Sequence, residues 1–318
     1  MKLTIIIPIY NEEKTIPELI ARLESLSKTL CKSHKLSEKE IEFIFVNDGS
    51  TDTSFNLLKD YCLEYIGRKL VNFSRNFGHQ YAVSAGINCS SGDHIVIMDG
   101  DLQDPPEFIQ DLYSKALEGF DVVYARRLRR RGEGWFKLIT AKVFYKLLKR
   151  MSPINIPEDT GDFRIINRRV ADTFKGLKES HRYIRGMISW IGFHQIGIIY
   201  ERDKRFAGSS NYPLAKMIKF ALDGITSFTA FPLKIASHLG MLLALLGFFY
   251  GIYVIGLKIF TDQTIVGWAS LTVVVLILGG AQLITIGVIG EYIGRIYDES
   301  KNRPLYIVEG IYNKGGIS

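Results

Sequence analysis

The chain has 318 residues, 47% of them hydrophobic, and a formal net charge of +7 at pH 7. This length is enough for one large α/β domain and a smaller unit. The positive charge suits an anionic membrane surface; because no nucleic-acid recognition motif is present, we expect no nucleic acid among the partners. The three cysteines lack the spacing of a metal or redox site, as is typical of a protein in a reducing cytosol.

Strand-like and helix-like segments alternate over the first 125 residues. The predicted strands are LTIIIPIY, IEFIFVND, KLVNFS, HIVIMD and DVVYA, and the predicted helices cover about 16–30, 54–65, 80–88 and 106–118. Repeated strand–helix units predict an α/β domain with a mostly parallel sheet, whose ligands bind at the carboxyl ends of the strands. The dinucleotide glycine fingerprint, the P-loop and the nucleophile elbow are all missing from the sequence, which excludes the commonest functions of such a domain.

Two long stretches without charged residues follow, at 235–257 and 263–290. At about 1.5 Å per residue, each is long enough to cross a hydrocarbon core of roughly 30 Å. A buried helical hairpin in a soluble protein is the alternative. Basic residues flank both outer ends of the pair, which predicts that both flanks lie in the cytoplasm. The N-terminus does not resemble a signal peptide, so we expect the N-terminal domain to stay in the cytoplasm as well.

These patterns divide the chain into four parts. We predict a catalytic domain at 1–212, an interfacial amphipathic helix region at 213–233, two transmembrane helices within 234–295 (about 235–259 and 266–291), and a cytoplasmic tail at 296–318. The interfacial helix is predicted because lysines are mixed with a mainly apolar face. An amphipathic core helix has the same pattern, but the adjacent transmembrane span favours a position at the membrane surface. Glycines in the second span would allow close packing with a partner, so a homo-oligomer is a further hypothesis.

The stretch MDGDLQDPPE places several acids directly after a predicted buried strand. Ionised carboxylates beside an apolar strand are costly unless they are paired or bound to a metal. Mg²⁺ and Mn²⁺ take oxygen ligands, commonly a few carboxylates together with substrate phosphates. Asp99, Asp101 and the amide oxygen of Gln103 are therefore the predicted ligands, and a solvated loop is the alternative. Asp104 and the two prolines after it should end the strand and begin the next helix.

Two further polar motifs, PIYNEE and VNDGSTD, also follow predicted strands. In the first, Glu12 leaves a carboxylate near the edge of the sheet, and a helix N-cap is the alternative role. In the second, turn chemistry accounts for Gly49 and Ser50 without a ligand. Asp48 could equally accept a hydrogen bond from a nucleobase imide.

Three basic segments, ARRLRRR, TGDFRI and ERDKRFAGSSNY, supply candidate phosphate ligands. Arginine suits phosphate because its planar guanidinium makes bidentate, charge-assisted hydrogen bonds. Most arginines in a run lie on solvated surface, and we expect that for residues 129–131. Arg126 comes directly after a predicted strand and is expected to face the site.

The motifs PIYNEE, VNDGSTD, FSRNFGHQ, DGDLQDPPE, TGDFRI and ERDKRFAGSSNY together resemble those of the polyprenyl-phosphate glycosyltransferases. These are GT-A enzymes of family 2 that include dolichol-phosphate mannose synthase and the bactoprenol glucosyl transferases. The resemblance covers nearly the whole chain, since the bacterial branch also carries two C-terminal spans and a tail like ESKNRPLYIVE. It implies a Rossmann-like GT-A domain and an inverting transfer of a monosaccharide to undecaprenyl phosphate at the bacterial inner membrane, for cell-envelope glycosylation. The expected donor is a UDP-linked nucleotide sugar.

The resemblance also implies roles for individual residues, each taken from a matching motif. The nucleotide sugar would be bound by Pro8, Tyr10, Glu12, Asp48 and Asp99, and Mg²⁺ or Mn²⁺ by Asp99, Asp101 and Gln103. Asp101 and Asp162 would be the catalytic residues, with Asp162 near the acceptor. The phosphates of donor and acceptor would be bound by Arg126, Arg164, Arg202 and Arg205.

One motif departs from the family, because Asn211 stands where the family usually has lysine. One positive charge is therefore missing from that loop. Two other functions compete with the transferase. A processive polysaccharide synthase would carry a Gln-x-x-Arg-Trp motif and more spans, and neither is present. A non-catalytic lipid-binding or scaffolding protein would have lost the acidic cluster, which is intact.

Overall fold

A computed structural model describes residues 2–128, 157, 160–201, 231–261 and 267–317. The strands of the described residues are β1 (Leu3–Ile9), β2 (Ile41–Asn47), β3 (Arg68–Phe73), β4 (His94–Ile97), β5 (Val122–Arg127), β6 (Thr160–Asn167), β7 (Gln195–Tyr200), β8 (Val308–Asn313) and β9 (Gly316–Ile317). The helices are α1 (Ile16–His34), α2 (Ser54–Glu64), α3 (His79–Cys89), α4 (Ile109–Leu117), α5 (Arg168–Lys175), α6 (Ile184–Ile191), α7 (Phe231–Thr261) and α8 (Trp268–Ser300).

The strands form one mixed sheet in the order β7-β5-β6-β4-β1-β2-β3-β8-β9. Strands β1 to β4 are mutually parallel, and β7 is parallel to β5. Strand β6 lies antiparallel between β4 and β5, and β8 is antiparallel to β3. The carboxyl ends of the parallel strands therefore meet the amino end of β6 at one edge of the sheet. The α/β architecture with a mostly parallel sheet, expected from the sequence, is confirmed.

The centre of the sheet is apolar because its strands are covered on both faces. All seven residues of β1 and all seven of β2 are buried, as is usual for central strands of parallel sheets, and most of them are apolar. Helix α1 covers one face with residues three or four apart, including Leu19, Leu23 and Leu26. On α3, a Cβ added at Gly86 would lie 2.2 Å from Ile6 Cγ2, so only glycine allows that helix to approach β1 this closely.

Of the four helices predicted in the first 120 residues, α1 and α3 are longer than predicted, α2 ends one residue early, and α4 covers only Ile109–Leu117. The predicted helix at 106–118 begins as a single 3-10 turn at Pro106–Phe108 before α4. Proline stands at the first position of that turn, as expected from the two prolines of DGDLQDPPE.

The C-terminal segment differs from the predicted tail. Helix α8 continues to Ser300, and residues 308–313 form β8 on the outer edge of β3. Residues 303–318 therefore form one compact unit with residues 1–217, and residues 218–302 form a second unit. Nothing in the hydropathy of this segment distinguishes a strand from a tail, because its alternation is short and β3, its partner on one side, is distant in sequence.

The second unit contains α7 and α8, which are long and apolar enough to cross a membrane. The apolar windows are Pro232–Leu257, with a mean hydropathy of 2.1, and Val273–Ser300, with 2.3. Large apolar side chains are exposed along both helices; Phe249, for example, is 64% exposed. Most of the predicted interfacial region lies outside the described residues, and its last residues, 231–233, begin α7.

Candidate functional site

The sheet register brings two aspartates to the same level at its carboxyl edge. Ile97, the last residue of β4, pairs with Arg164 of the antiparallel strand β6. Asp99 comes two residues after Ile97, and Asp162 two residues before Arg164. Because the strands run in opposite directions, these two steps lead to the same edge. The motifs DGDLQDPPE and TGDFRI, more than fifty residues apart in the sequence, therefore meet.

Asp162 is a buried carboxylate held by three side chains. Arg185 donates from Nε to Oδ1 at 2.7 Å, and Gln80 donates from Nε2 to Oδ2 at 3.2 Å. His79 Nε2 also lies 3.2 Å from Oδ2. The Asp162 side chain is only 4% exposed, whereas His79 is 41% exposed and can contact a bound substrate.

The partners of Asp162 are themselves fixed. Gln80 accepts a hydrogen bond at Oε1 from the main-chain N–H of Ile184, which places its amide nitrogen towards the carboxylate. Arg185 donates a second hydrogen bond from Nη1 to the carbonyl of Thr160 at 3.1 Å. The first turns of α3 and α6 are thus tied to the start of β6, and the carboxylate has one defined orientation.

Asp99 supplies the observation that favours a cation site. Its Oδ1 is buried and accepts no hydrogen bond, and His79 Nε2 lies 3.5 Å away. A buried carboxylate oxygen that accepts no hydrogen bond is costly, and the 3.5 Å contact with His79 compensates this cost only in part, so a bound cation would stabilise it. Close by, Asp101 Oδ1 accepts the main-chain N–H of Gln103 at 3.1 Å, which closes the loop that carries the other predicted ligands.

The donor set fits a hard divalent cation that also takes ligands from the substrate. Among the residues that the structure describes, no three histidine, cysteine or carboxylate side chains stand ready around one metal position. Asp99, Asp101 and the amide oxygen of Gln103 are oxygen donors, as Mg²⁺ and Mn²⁺ prefer. Such ions commonly complete their coordination with water and substrate phosphates, so a partial protein set is the expected one.

The charges in this cluster change one another's pKa. Burial lowers the pKa of His79, but the hydrogen bond to Asp162 and the charge of Asp99 outweigh it and raise the pKa to about 9. Burial and the neighbouring carboxylates raise the pKa of Asp99 despite the opposing charge of His79. Burial also acts to raise the pKa of Asp162, but Arg185 and His79 outweigh it and hold that pKa well below its usual range.

Asp104 has a different role from the residues before it. It is fully buried, and the hydroxyl of Tyr200, at the end of β7, donates a hydrogen bond to its Oδ1. Arg127 donates from Nε to the same hydroxyl oxygen at 3.4 Å. Asp104 therefore anchors the end of the acidic loop to β5 and β7. The expectation that it helps to begin a helix accounts for its position but not for its burial.

Asp48 organises the loop between β3 and α3. The main-chain N–H of Phe77 donates to its Oδ1 at 2.7 Å, and that of Gly78 donates to its Oδ2 at 2.9 Å. The residue is 3% exposed, and burial raises its pKa despite these donors. The predicted contact of Asp48 with a nucleobase stays a prediction, while its carboxylate already holds the segment that leads to His79.

Gly49, next to Asp48, lies against the same segment. Its φ is +66°, and a Cβ there would lie 2.4 Å from the main-chain carbon of Arg75 and 2.5 Å from the nitrogen of Asn76. Both the backbone conformation and the close approach require glycine.

The residues of PIYNEE lie at the carboxyl end of β1. Pro8 is buried and pairs with Val46, whereas Tyr10 is 47% exposed. The Glu12 carboxylate accepts a hydrogen bond from the Thr15 hydroxyl at 2.8 Å. The N-cap residue of α1 is Thr15, three residues after Glu12. The alternative role of Glu12, as the N-cap of this helix, is therefore wrong.

Of the four arginines predicted to bind phosphate, the structure describes two, one exposed and one buried. Arg126 is exposed near the end of β5, opposite Thr160. Arg164 is 3% exposed and donates to the carbonyls of Asp162 and Gly161, and burial lowers its pKa to about 10. Arg164 therefore stabilises the start of β6, and its buried guanidinium is not accessible to a phosphate. Arg202 and Arg205 lie outside the described residues.

Sequence reasoning did not identify His79, Gln80 or Arg185 as site residues. The first two belong to FSRNFGHQ, a motif used only for the resemblance; their position after a glycine at a strand-to-helix junction was the available signal. Arg185 belongs to no motif, and nothing in the sequence around it indicates a contact with β6.

The comparisons with known proteins agree with this geometry. Residues 4–174 match the family described as glycosyl transferase family 2, and residues 231–296 match the GtrB C-terminal hairpin. The uncharacterized glycosyltransferase YkcC of Bacillus subtilis is 49% identical over 98% of this chain and 95% of its own length. The bactoprenol glucosyl transferase of Shigella phage SfV is 40% identical over 97% and 98%, respectively.

A solved structure with partial likeness is mannosyl-3-phosphoglycerate synthase from Rubrobacter xylanophilus. It superposes with a TM-score of 0.47 and 14% identity, over 71% of this chain and 72% of that one.

Proposed function

The chain belongs to glycosyl transferase family 2, and from that premise we propose that it transfers one monosaccharide from a nucleotide sugar to a polyprenyl phosphate, with inversion at the anomeric carbon. The observation that carries the proposal is that Asp99 and Asp162 both approach His79 Nε2, at 3.5 and 3.2 Å, at the carboxyl edge of the sheet. The buried Oδ1 of Asp99 accepts no hydrogen bond, and Asp162 is in contact with both His79 and Arg185. The match to the GtrB hairpin and the names of the bactoprenol relatives favour a lipid acceptor, undecaprenyl phosphate in bacteria.

The donor would bind across the ends of β1 and β2. Tyr10 offers an exposed ring to the nucleobase, and Asp48 offers remaining acceptor capacity to a base N–H. Pro8 and Glu12 shape the same end of the sheet. UDP is the nucleotide that we propose first.

A divalent cation, Mg²⁺ or Mn²⁺, would be held by Asp99, Asp101 and Gln103. When bound, it neutralises the negative charge that develops on the departing nucleoside diphosphate. The buried oxygen of Asp99 is the protein contact that supports this assignment. Arg126, exposed near the end of β5, stays a candidate for a phosphate of the donor or the acceptor.

The acceptor phosphate would lie beside Asp162, His79 and Arg185. A phosphate monoester has a second pKa of about 6, so it is largely dianionic at neutral pH and needs little deprotonation. Asp162 is a weak proton acceptor because its pKa is held well below the usual range. We therefore assign Asp162 to orienting the acceptor, with the positive charges of His79 and Arg185 offsetting repulsion between carboxylate and phosphate. Alignment of the phosphate opposite the leaving group is the main contribution of these residues.

The two apolar helices would anchor the enzyme in the cytoplasmic membrane, with the catalytic unit in the cytoplasm. Its lipid-linked product would then serve glycosylation of the cell envelope. Pairing of the glycines in α8 with a second copy would give a homo-oligomer.

Reconstitution of the full chain tests the proposal. Purified protein is incubated in detergent with polyprenyl phosphate, Mg²⁺ or Mn²⁺, and each of a panel of UDP- and GDP-linked sugars. We expect one donor to release nucleoside diphosphate only when the lipid is present, and mass spectrometry to show the lipid phosphate plus one sugar. Products with many sugars would indicate a processive synthase, and a panel without any release would contradict the function.

A further inference from the structure

The C-terminal strand reaches the donor end of the sheet through a row of hydrogen-bonded side chains. Asn72, on β3, donates from Nδ2 to Glu309 Oε2, on β8, at 2.7 Å. Asn47, the last residue of β2, donates from Nδ2 to Asn72 Oδ1, also at 2.7 Å. Asn47 and Asn72 are 2% and 6% exposed. If either hydrogen bond broke, water could not easily take the place of the lost partner, so the loss would be costly.

The row continues into the loop that carries Asp48. The main-chain N–H of Ser50 donates to Asn47 Oδ1 at 3.3 Å. The Ser50 hydroxyl oxygen in turn accepts the main-chain N–H of Asn11 at 3.0 Å. The loop after β2 and the loop after β1 are therefore joined to each other and, through two asparagines, to β8.

Glu309 determines the direction of the two bonds between side chains in this row. An ionised carboxylate can only accept, so Asn72 must turn its amide nitrogen towards Glu309 and its oxygen towards Asn47. Asn47 must then present its nitrogen to Asn72, which leaves its oxygen for the N–H of Ser50. Glu309 is exposed, so its charge is maintained without the cost of burying it.

We propose that Glu309 is a positioning residue for the donor nucleotide, because it fixes the orientation of Asn72 and Asn47 and thereby the conformation of loop 48–52. The proposal rests on the proposed function, in which this loop and the end of β1 bind the nucleoside diphosphate. The C-terminal strand would thus influence the affinity for donor without contacting it.

Single substitutions in the full-length protein provide the first test. Glu309→Ala leaves the Asn72 nitrogen without its acceptor, and Glu309→Gln keeps the shape but allows either amide orientation. We expect the dissociation constant of UDP, measured by titration calorimetry with Mg²⁺, and the KM for donor to rise about tenfold in Glu309→Ala and less in Glu309→Gln. The kcat and the KM for polyprenyl phosphate should change less than twofold. Glu179→Gln, which removes an exposed charge elsewhere, is the matched control.

A paired substitution tests the direction of the bonds. Asn72→Asp alone places two carboxylates together and should weaken UDP binding at least as much as Glu309→Ala. In the double variant Asn72→Asp/Glu309→Gln, the carboxylate at position 72 can accept hydrogen bonds from Asn47 and from the amide at position 309. The affinity for UDP should therefore be at least threefold higher than in Asn72→Asp alone.

Several outcomes overturn the inference. An unchanged UDP affinity in Glu309→Ala would leave Glu309 without a role in donor binding. A rise in the KM for both substrates together with a lower melting temperature would assign Glu309 to general stability. No recovery in the paired variant would contradict the proposed direction of the bonds. If the wild type binds UDP but transfers no sugar, the proposed reaction fails while the calorimetric comparison still decides the role of Glu309. A wild type that binds neither UDP nor GDP overturns both.

Discussion

Arg185 donates from Nε to Asp162 Oδ1 at 2.7 Å while its Nη1 donates to the carbonyl of Thr160, so one guanidinium orients both the carboxylate and the strand that carries it. Lysine has no planar fork that would hold both contacts in this geometry, because its ammonium is a compact point charge. We expect Arg185→Lys to lower kcat by about 10²-fold through misplacement of Asp162. Steady-state kinetics with both substrates will measure this. Arg169→Lys, at an exposed position on α5, should keep the wild-type kcat, and an equally active Arg185→Lys would contradict the orienting role.

The buried oxygen of Asp99 predicts a metal-dependent effect of Asp99→Asn. An amide is a weaker cation ligand than a carboxylate, so we expect the Mg²⁺ or Mn²⁺ concentration for half-maximal activity to rise at least about tenfold. Metal titrations after treatment with a chelator will measure it. Asp111→Asn makes the same chemical change at an exposed position on α4 and should leave the titration curve unchanged. An identical curve for Asp99→Asn would remove this residue from the metal site.

Gly49 and Gly119 form a matched pair for testing close approach. Both have positive φ, +66° and +102°, but a Cβ at Gly49 meets main-chain atoms at 2.4 and 2.5 Å, whereas a Cβ at Gly119 meets nothing within 4 Å. Each alanine substitution adds backbone strain of about 1–3 kcal/mol. Gly49→Ala should in addition displace residues 75–78, which Asp48 holds, and weaken UDP binding. Calorimetry and thermal melting will separate the effects, and equal behaviour of the two variants would argue against the close contact.

Glu42, on β2, predicts a pH-dependent stability. It is buried and accepts hydrogen bonds from Thr4 at 2.7 Å, Lys69 at 3.1 Å and Ser91 at 3.0 Å. Burial acts to raise its pKa, but these partners outweigh burial and lower it. The stabilisation is therefore complete above the unfolded pKa of about 4.3 and is lost as the pH falls through the lower folded pKa.

Glu42→Gln removes this contribution, so at pH 7 we expect a loss of about 1–3 kcal/mol in the free energy of unfolding. The difference from wild type should shrink below about pH 4, where the wild-type carboxylate also becomes protonated. Thermal melting of the full chain between pH 3.5 and 7.5 will measure the difference. A melting-temperature gap that stays constant across this range would show that the charge of Glu42 does not stabilise the fold.

Much of the sheet could be predicted because its central strands are continuous apolar runs separated by amphipathic helices. The convergence of Asp48 and Asp99 follows from the parallel arrangement alone. The position of Asp162 does not, since it depends on β6 running antiparallel beside β4, and a single strand carries no signal of its direction. The register between those two strands brings the motif DGDLQDPPE next to the motif TGDFRI.

The contacts that sequence reasoning missed involve side chains from elements far apart in the chain. Arg185 reaches Asp162 from a short helix, and Tyr200 reaches Asp104 from the end of β7. Each is an ordinary residue in its local context, so only the packing of one element against another makes it functional. Asp104 illustrates the same limit, because a position just before a helix explains its residue type equally well.

The return of β8 to the sheet has a consequence for membrane topology. Residues before α7 and residues after α8 belong to one folded unit, which must lie wholly on one side of any bilayer. A chain that leaves such a unit and comes back to it crosses an even number of times. The strand pairing is therefore compatible with a hairpin of α7 and α8 that crosses twice. During synthesis, the last edge of the catalytic sheet can form only after the entire hairpin has left the ribosome.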